Sequence, residues 1–245
     1  MALSMEQVTA ERLPFDYALA QSLSAWEEPP VAITETTSAA RSNDSNEELA
    51  HTAPGMMLQF AIAGLLTAAQ VIVTERKSRA LQRLLTTATR RLDILLGHYL
   101  AILTLIFGQF LILILFSMLA LRVNYWNQPL ATLLVAFSAA MCIAALGLLI
   151  GIVAKSEEQA VIFSLIPMFV FAGLGGAWVP LEVTGATFQA IGHVSPIAWA
   201  MDGFKNISIR GWGIGPALLP ALALMGYAVL FFTLATWRFW TTEER

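Results

Sequence analysis

The side chains able to do covalent or metal chemistry are few and scattered. His51, His98 and His193 fall in three separate stretches, so no His/Cys/Asp/Glu cluster with metal-ligand spacing forms. Glu157-Glu158 resembles half of an intramembrane metalloprotease motif, but the further His or Glu ligands within apolar segments are missing; the pair suits a short polar turn beside Lys155. Cys142 is the single cysteine, which excludes a disulfide framework and any multi-Cys site. No G-x-x-x-x-G-K-[ST] is present to cradle nucleotide phosphates, and no G-x-S-x-G to present a serine nucleophile. The expectation is a protein that is not an enzyme, with no catalytic, cofactor-binding or metal residues of its own.

What stands out instead is a basic, leucine-bearing segment, Thr74–Asp93 (TERKSRALQRLLTTATRRLD). Leu81, Leu84 and Leu85 share one helical face, while Arg76, Arg79, Arg83 and Arg90 lie mainly on others. Glu75 and Arg79 stand at i,i+4 in the favourable order. Such a helix lies along a membrane boundary with leucines in the acyl edge and arginines among headgroups. It serves either as a topology anchor or as a dock for a partner. Thr86, Thr87 and Thr89 around Ala88 suggest a break before the next apolar run.

The elements that must position this segment are membrane helices. Of 245 residues, 57% are hydrophobic and 13% charged, with mean hydropathy +0.68; soluble domains carry about 25% charged residues. The net charge of −3 offers no general basic surface, so nucleic acid is not expected as a partner. A bilayer core of about 30 Å needs about 20 apolar helical residues. Five stretches qualify: Pro54–Val73, Ile94–Leu121, Leu130–Ala154, Ala160–Val179 and Pro216–Trp237. The fold expected is all-α, a polytopic transmembrane bundle of about five spans with an amphipathic cytoplasmic helix. The segment Val183–Met201, uncharged but broken by Gly185, Gly192, His193, Ser195 and Pro196, reads as an external re-entrant or interfacial hairpin.

Residues 1–52 form a polar, acidic part, read as an external tail, a short helix near Phe15–Leu23, or the remnant of a larger domain. Residues 53–240 are the membrane domain and 241–245 a C-terminal tail. Arg76, Lys77, Arg79, Arg83, Arg90, Arg91, Lys155, Arg238 and Arg245 fall on one side of the expected topology, against Arg122, Lys205 and Arg210 on the other. The excess of positive charge puts the first set in the cytoplasm, the C-terminus with it, and the N-terminus and the 180–213 loop outside. Trp126, Trp178, Trp199, Trp212, Trp237 and Trp240 fall near span ends, as interfacial anchors do.

Polar groups within the spans are sparse. Gln59, Gln70, His98, Gln109 and Ser138 either line a pathway or make helix–helix hydrogen bonds. No Asp, Glu, Lys or Arg lies mid-span, which argues against a proton- or sodium-coupled carrier. Gly147-x-x-x-Gly151 permits close helix approach, and Pro167 would kink the fourth span. Pro180, Glu182, His193, Ser195, Pro196 and Asp202 could shape an external gate, or simply fold the hairpin that caps the bundle.

The order PGMM…GLLTAAQVIVTERKSRALQRLLTTATRRLDILLGHYLA, followed by VPLEV at 179–183 and HVSPIAWAMDGFKNI at 193–207, resembles the membrane subunit of type-two ABC exporters over roughly residues 53–240. The resemblance implies that the helix within 75–90 is the element contacting an ATP-binding subunit, with Glu75, Arg76, Arg79, Leu81, Arg83, Leu84 and Leu85 matching it. It implies a separate ABC ATPase as the site of ATP hydrolysis, a second permease subunit (homodimer or heterodimer) as partner, and a plasma-membrane location. An apolar bundle suggests a drug-like, lipid or glycolipid substrate. Two departures stand out. Ala88 replaces the family's usual proline, and the family usually has six spans, with one before the external region that residues 1–50 do not provide. The chain then reads as a truncated product, a misassigned start or a fragment. The alternative reading is a non-transporting membrane scaffold, an immunity protein or a permease remnant.

Overall fold

The computed structural model describes residues 39–79, 90–211 and 213–243. The chain divides into Met1–Asn43 and Asp44–Arg245, and the account below concerns the second unit. Seven α-helices are described: α1 (Ala39–Lys77), α2 (Arg91–Ala120), α3 (Pro129–Val153), α4 (Glu157–Leu174), α5 (Ala186–Gly192), α6 (Pro196–Ser208) and α7 (Ile214–Glu243). A 3₁₀ turn at Leu181–Val183 precedes α5, and no strand occurs among the described residues. Among the described residues, five segments are long and apolar enough to cross a membrane: Thr52–Lys77, Leu92–Ala120, Pro129–Val153, Glu157–Leu174 and Ile214–Thr241.

The described residues thus form the all-helical bundle, with five candidate spans, that the apolar runs require. α3 is its centre: it packs against α7, α2, α6 and α4. Its residues explain the position, because Ala131, Ala136, Ala139, Ala140, Ala144, Ala145, Gly147 and Gly151 give it a small-residue surface that other helices approach closely. α2, α4 and α7 by contrast expose leucine, isoleucine and phenylalanine along their outer faces, among them Ile112, Leu119, Phe169, Leu219 and Leu230. Such continuous apolar faces suit hydrocarbon rather than water.

Three boundaries differ from the sequence expectation. Pro54 does not open the first helix but lies inside α1. The run to Val179 reads as one span, yet α4 ends at Leu174, because Gly175 closes it and Gly176 takes a left-handed φ of 79° that glycine adopts at little cost. The segment after the first span is not one helix from Glu75 onward. α1 runs unbroken to Lys77, and Arg79 follows at φ 57°, so Glu75 and Arg79 do not share a helix.

Candidate functional site

Two polar clusters sit at opposite ends of the bundle. The first gathers at the end of α1. Gly147 and Gly151 let α1 lie against α3: a Cβ on Gly147 would stand 3.0 Å from Ala68 Cβ, and one on Gly151 only 2.7 Å from Ile72 Cδ1. One turn beyond Ile72, the Arg76 guanidinium therefore arrives at the end of α3. It donates from Nη1 to Ala154 O at 3.0 Å and from Nη2 to Ile152 O at 3.1 Å and Gly151 O at 3.4 Å. The last carbonyls of a helix lack intrahelical donors and carry its negative dipole end, so a cation there satisfies both. Beside it, Lys77 pairs with Glu157 at 3.0 Å. Glu157 opens α4, whose start is fixed by Ser156: its hydroxyl accepts from Gln159 N–H, while Gln159 Oε1 accepts from Lys155 N–H.

Glu75 turns to α2. Its Oε2 lies 2.5 Å from His98 Nε2, and His98 Nδ1 lies 2.8 Å from Ile94 O. A carbonyl can only accept, so His98 Nδ1 donates to Ile94 O, and Nε2 is left facing Glu75. Of the residues expected on the partner-contacting helix, Glu75, Arg76 and Arg79 are described, and the first two fasten α1 to α2 and α3. Leu81, Arg83, Leu84 and Leu85 lie outside the described residues.

The second cluster is the hairpin between α4 and α7. Ser195 caps α6 by accepting from Ile197 N–H, Pro196 occupies the first turn where its missing N–H costs nothing, and the Ser195 hydroxyl donates to Phe171 O at 3.1 Å, tying the hairpin to α4. Tyr227 of α7 donates to Val194 O at 2.8 Å. His193 Nε2 meets Asp202 Oδ2 at 2.8 Å, with Nδ1 on Gln189 O at 2.8 Å, and Trp199 Nε1 donates to His193 O at 2.9 Å. Partial burial of the His193 ring works against its cation. The Gln189 carbonyl, the Asp202 hydrogen bond and charge, and the Glu182 charge outweigh that, so its pKa rises above 6.5. Lys205, only 7% exposed, donates to both Glu182 oxygens at 2.9 Å. Pro180 introduces the 3₁₀ turn that carries Glu182. Of the six hairpin residues singled out in the sequence, His193 and Asp202 pair, Ser195 and Pro196 start α6, and Pro180 precedes the turn bearing Glu182, whose buried partner Lys205 their pattern did not include. Local spacing did not signal it: Asp202, three residues before Lys205, pairs with His193, while Lys205 reaches Glu182 from across the hairpin.

The polar residues expected along a pathway do not form one lining. Gln109 Nε2 donates to Phe60 O at 2.8 Å, His98 pairs with Glu75, and the Ser138 hydroxyl returns to Leu134 O in its own helix. Gln70 is half-buried on α1. Gln59 differs: its Oε1 accepts from Trp178 Nε1, and both line a recess of about 460 Å³ with Thr52, Met56, Phe60 and Ala177. Gly55 makes this junction, since a Cβ there would stand 2.2 Å from Ala177 O. Trp178 is therefore part of a polar contact inside an apolar recess as well as an aromatic at a span end.

These features are those of a polytopic helical membrane domain, and the comparisons give its family. The ABC-2 family transporter protein family matches residues 5–237, so the chain belongs to that family. It is similar to the linearmycin resistance permease protein LnrN of Bacillus subtilis (strain 168), 25% identical over 203 residues, covering 83% of this chain and 52% of that protein. It is also similar to ABC transporter G family member 20 of Dictyostelium discoideum, 26% identical over 173 residues, covering 70% and 24%. The chain thus spans about half the length of the first relative and about a quarter of the second. No solved structure matches it significantly.

Proposed function

We propose that the chain is one half of the membrane pathway of an ATP-driven exporter. ATP is bound and hydrolysed on a separate ATP-binding subunit, and a second permease subunit completes the pathway. The observation that carries this reading is the family match over residues 5–237, and the described residues give it parts. The end of α1, with Glu75, Arg76 and Lys77 fastened to α2, α3 and α4, suits a place where motion enters the bundle. The recess at Gln59 and Trp178 is apolar with a single polar pair, which suits an amphiphilic cargo, drug-like, lipid or glycolipid. A relative whose name is that of a resistance permease fits the same cargo class. The domain sits in the plasma membrane with the Arg76 end and the C-terminus in the cytoplasm, and the hairpin and N-terminus outside.

The reading is tested by co-expressing the chain with its candidate ATPase and isolating the complex from membranes. The double variant Leu84→Asp with Arg83→Glu is expected to abolish recovery of the ATPase while the permease still reaches the membrane. Unchanged recovery would refute docking at this segment. ATP-dependent accumulation of a fluorescent amphiphile in inside-out vesicles, lost on omitting ATP, tests transport itself.

A further inference from the structure

A second recess opens at the hairpin end of the bundle, between the last turns of α2 and the start of α3, away from Gln59 and Trp178. We infer that it holds an acyl chain of a membrane phospholipid whose anionic headgroup is bound by Arg122. Its volume is about 350 Å³, and its walls include Leu111, Leu115, Met118, Trp126, Pro129 and Leu133. Thr132 also lines it, but its hydroxyl is committed to Gln128 O at 3.0 Å and Tyr125 O at 3.2 Å, so the walls suit hydrocarbon. The rim is equipped for a headgroup. Trp126 is 73% exposed at the boundary of two spans, where amphipathic rings lie at headgroup level.

Arg122 supplies the charge. It is exposed, it lies between the lining residues Met118 and Tyr125, and it is the one Lys or Arg between Arg91 and Lys155. Its backbone is left-handed, φ 54°, as the chain turns so that Val123 N–H closes on Ser117 O at 3.2 Å. Glycine is the residue that such a helix end favours, and a side chain there is strained. Local folding therefore does not call for arginine at this position, whereas an anionic headgroup does.

The test is native mass spectrometry of the full chain, purified in mild detergent and offered phosphatidylglycerol or phosphatidylcholine with identical chains. One phosphatidylglycerol is expected to be retained roughly fivefold better than phosphatidylcholine, as one arginine near an anionic surface provides. Arg122→Gln should bring the two lipids to parity. Arg122→Gly should do the same while holding or raising the melting temperature, which separates lost binding from lost folding. Leu115→Trp, which fills the recess, should lower retention of both. Equal retention by the wild type, or a preference that survives Arg122→Gln, overturns the inference. So does displacement of the lipid by free glycerol phosphate, which has no chain to seat. Dissociation of a dimer by Leu115→Trp with lipid retention unchanged would make a second copy the occupant, and would equally overturn it.

Discussion

The Arg76 guanidinium spans the gap between two helices at the point where one of them runs out of donors. Its three carbonyl partners belong to the last turn of α3 and the residue after it. Truncating it leaves partly buried acceptors unsatisfied, a loss of about 1–3 kcal/mol. Arg76→Ala is therefore expected to lower the melting temperature in detergent by several degrees. Arg76→Lys should recover only part of the loss, since an ammonium is a point donor and cannot fork across Ala154 and Ile152. A melting curve of Arg76→Ala that overlays the wild type would show that the cap does not stabilise. His193 carries a pH dependence of definite sign. Its folded pKa is raised above the ordinary 6.5, so its contribution to stability is complete below about pH 6.5 and is lost as pH rises through the folded value. Proteolysis of the 180–195 segment should become faster across that window, and Asp202→Asn should flatten the dependence. A wild-type profile that is flat from pH 6 to 9 would contradict this.

Between elements, the decisive residues are the ones with no side chain. Gly151→Val would put a Cβ within 2.7 Å of Ile72, on α1 and close to its β-branch, so α1 and α3 must separate and the Arg76 cap stretches. The expected cost is about 1–3 kcal/mol. Gly97 on α2 is the control: a Cβ there meets nothing within 4 Å, and Gly97→Ala should be neutral or stabilising by up to about 1 kcal/mol. Equal melting temperatures for the two variants would remove the argument for a tight α1–α3 seam. The spans themselves were legible because a hydrocarbon core demands long uncharged runs, and the Gly147–Gly151 pair was legible as a packing surface. Its partner was not, since hydropathy ranks depth and says nothing of neighbours. For the same reason Arg76 read as a topology charge, and its carbonyls, more than seventy residues away, could not be found without the seam that brings them near. The end of α4 was missed because Ala-Trp-Val keeps the run apolar past Gly175 and Gly176, where the backbone and not the polarity changes. In the hairpin, Ser195-Pro196 was a readable helix start, whereas the burial of Lys205 depended on Glu182 arriving from the other side of α5.

At the scale of the whole chain, the proposed orientation is open to direct measurement. Cys142, the one native cysteine, is buried, so introduced cysteines report against a low background. Ala186→Cys on the hairpin should react with an impermeant maleimide applied to intact cells, and Ala80→Cys only after permeabilisation. Reaction of both from outside would overturn the topology. The fastening at the end of α1 also has a mechanical side. Arg76 grips the end of α3, Lys77 the start of α4, and Glu75 the flank of α2. Tension applied to the chain at Ser78 therefore finds no slack to draw out of α1. It is shared at once among four helices near their ends, and the stiff response to a shared load is for the group to tilt as a plate.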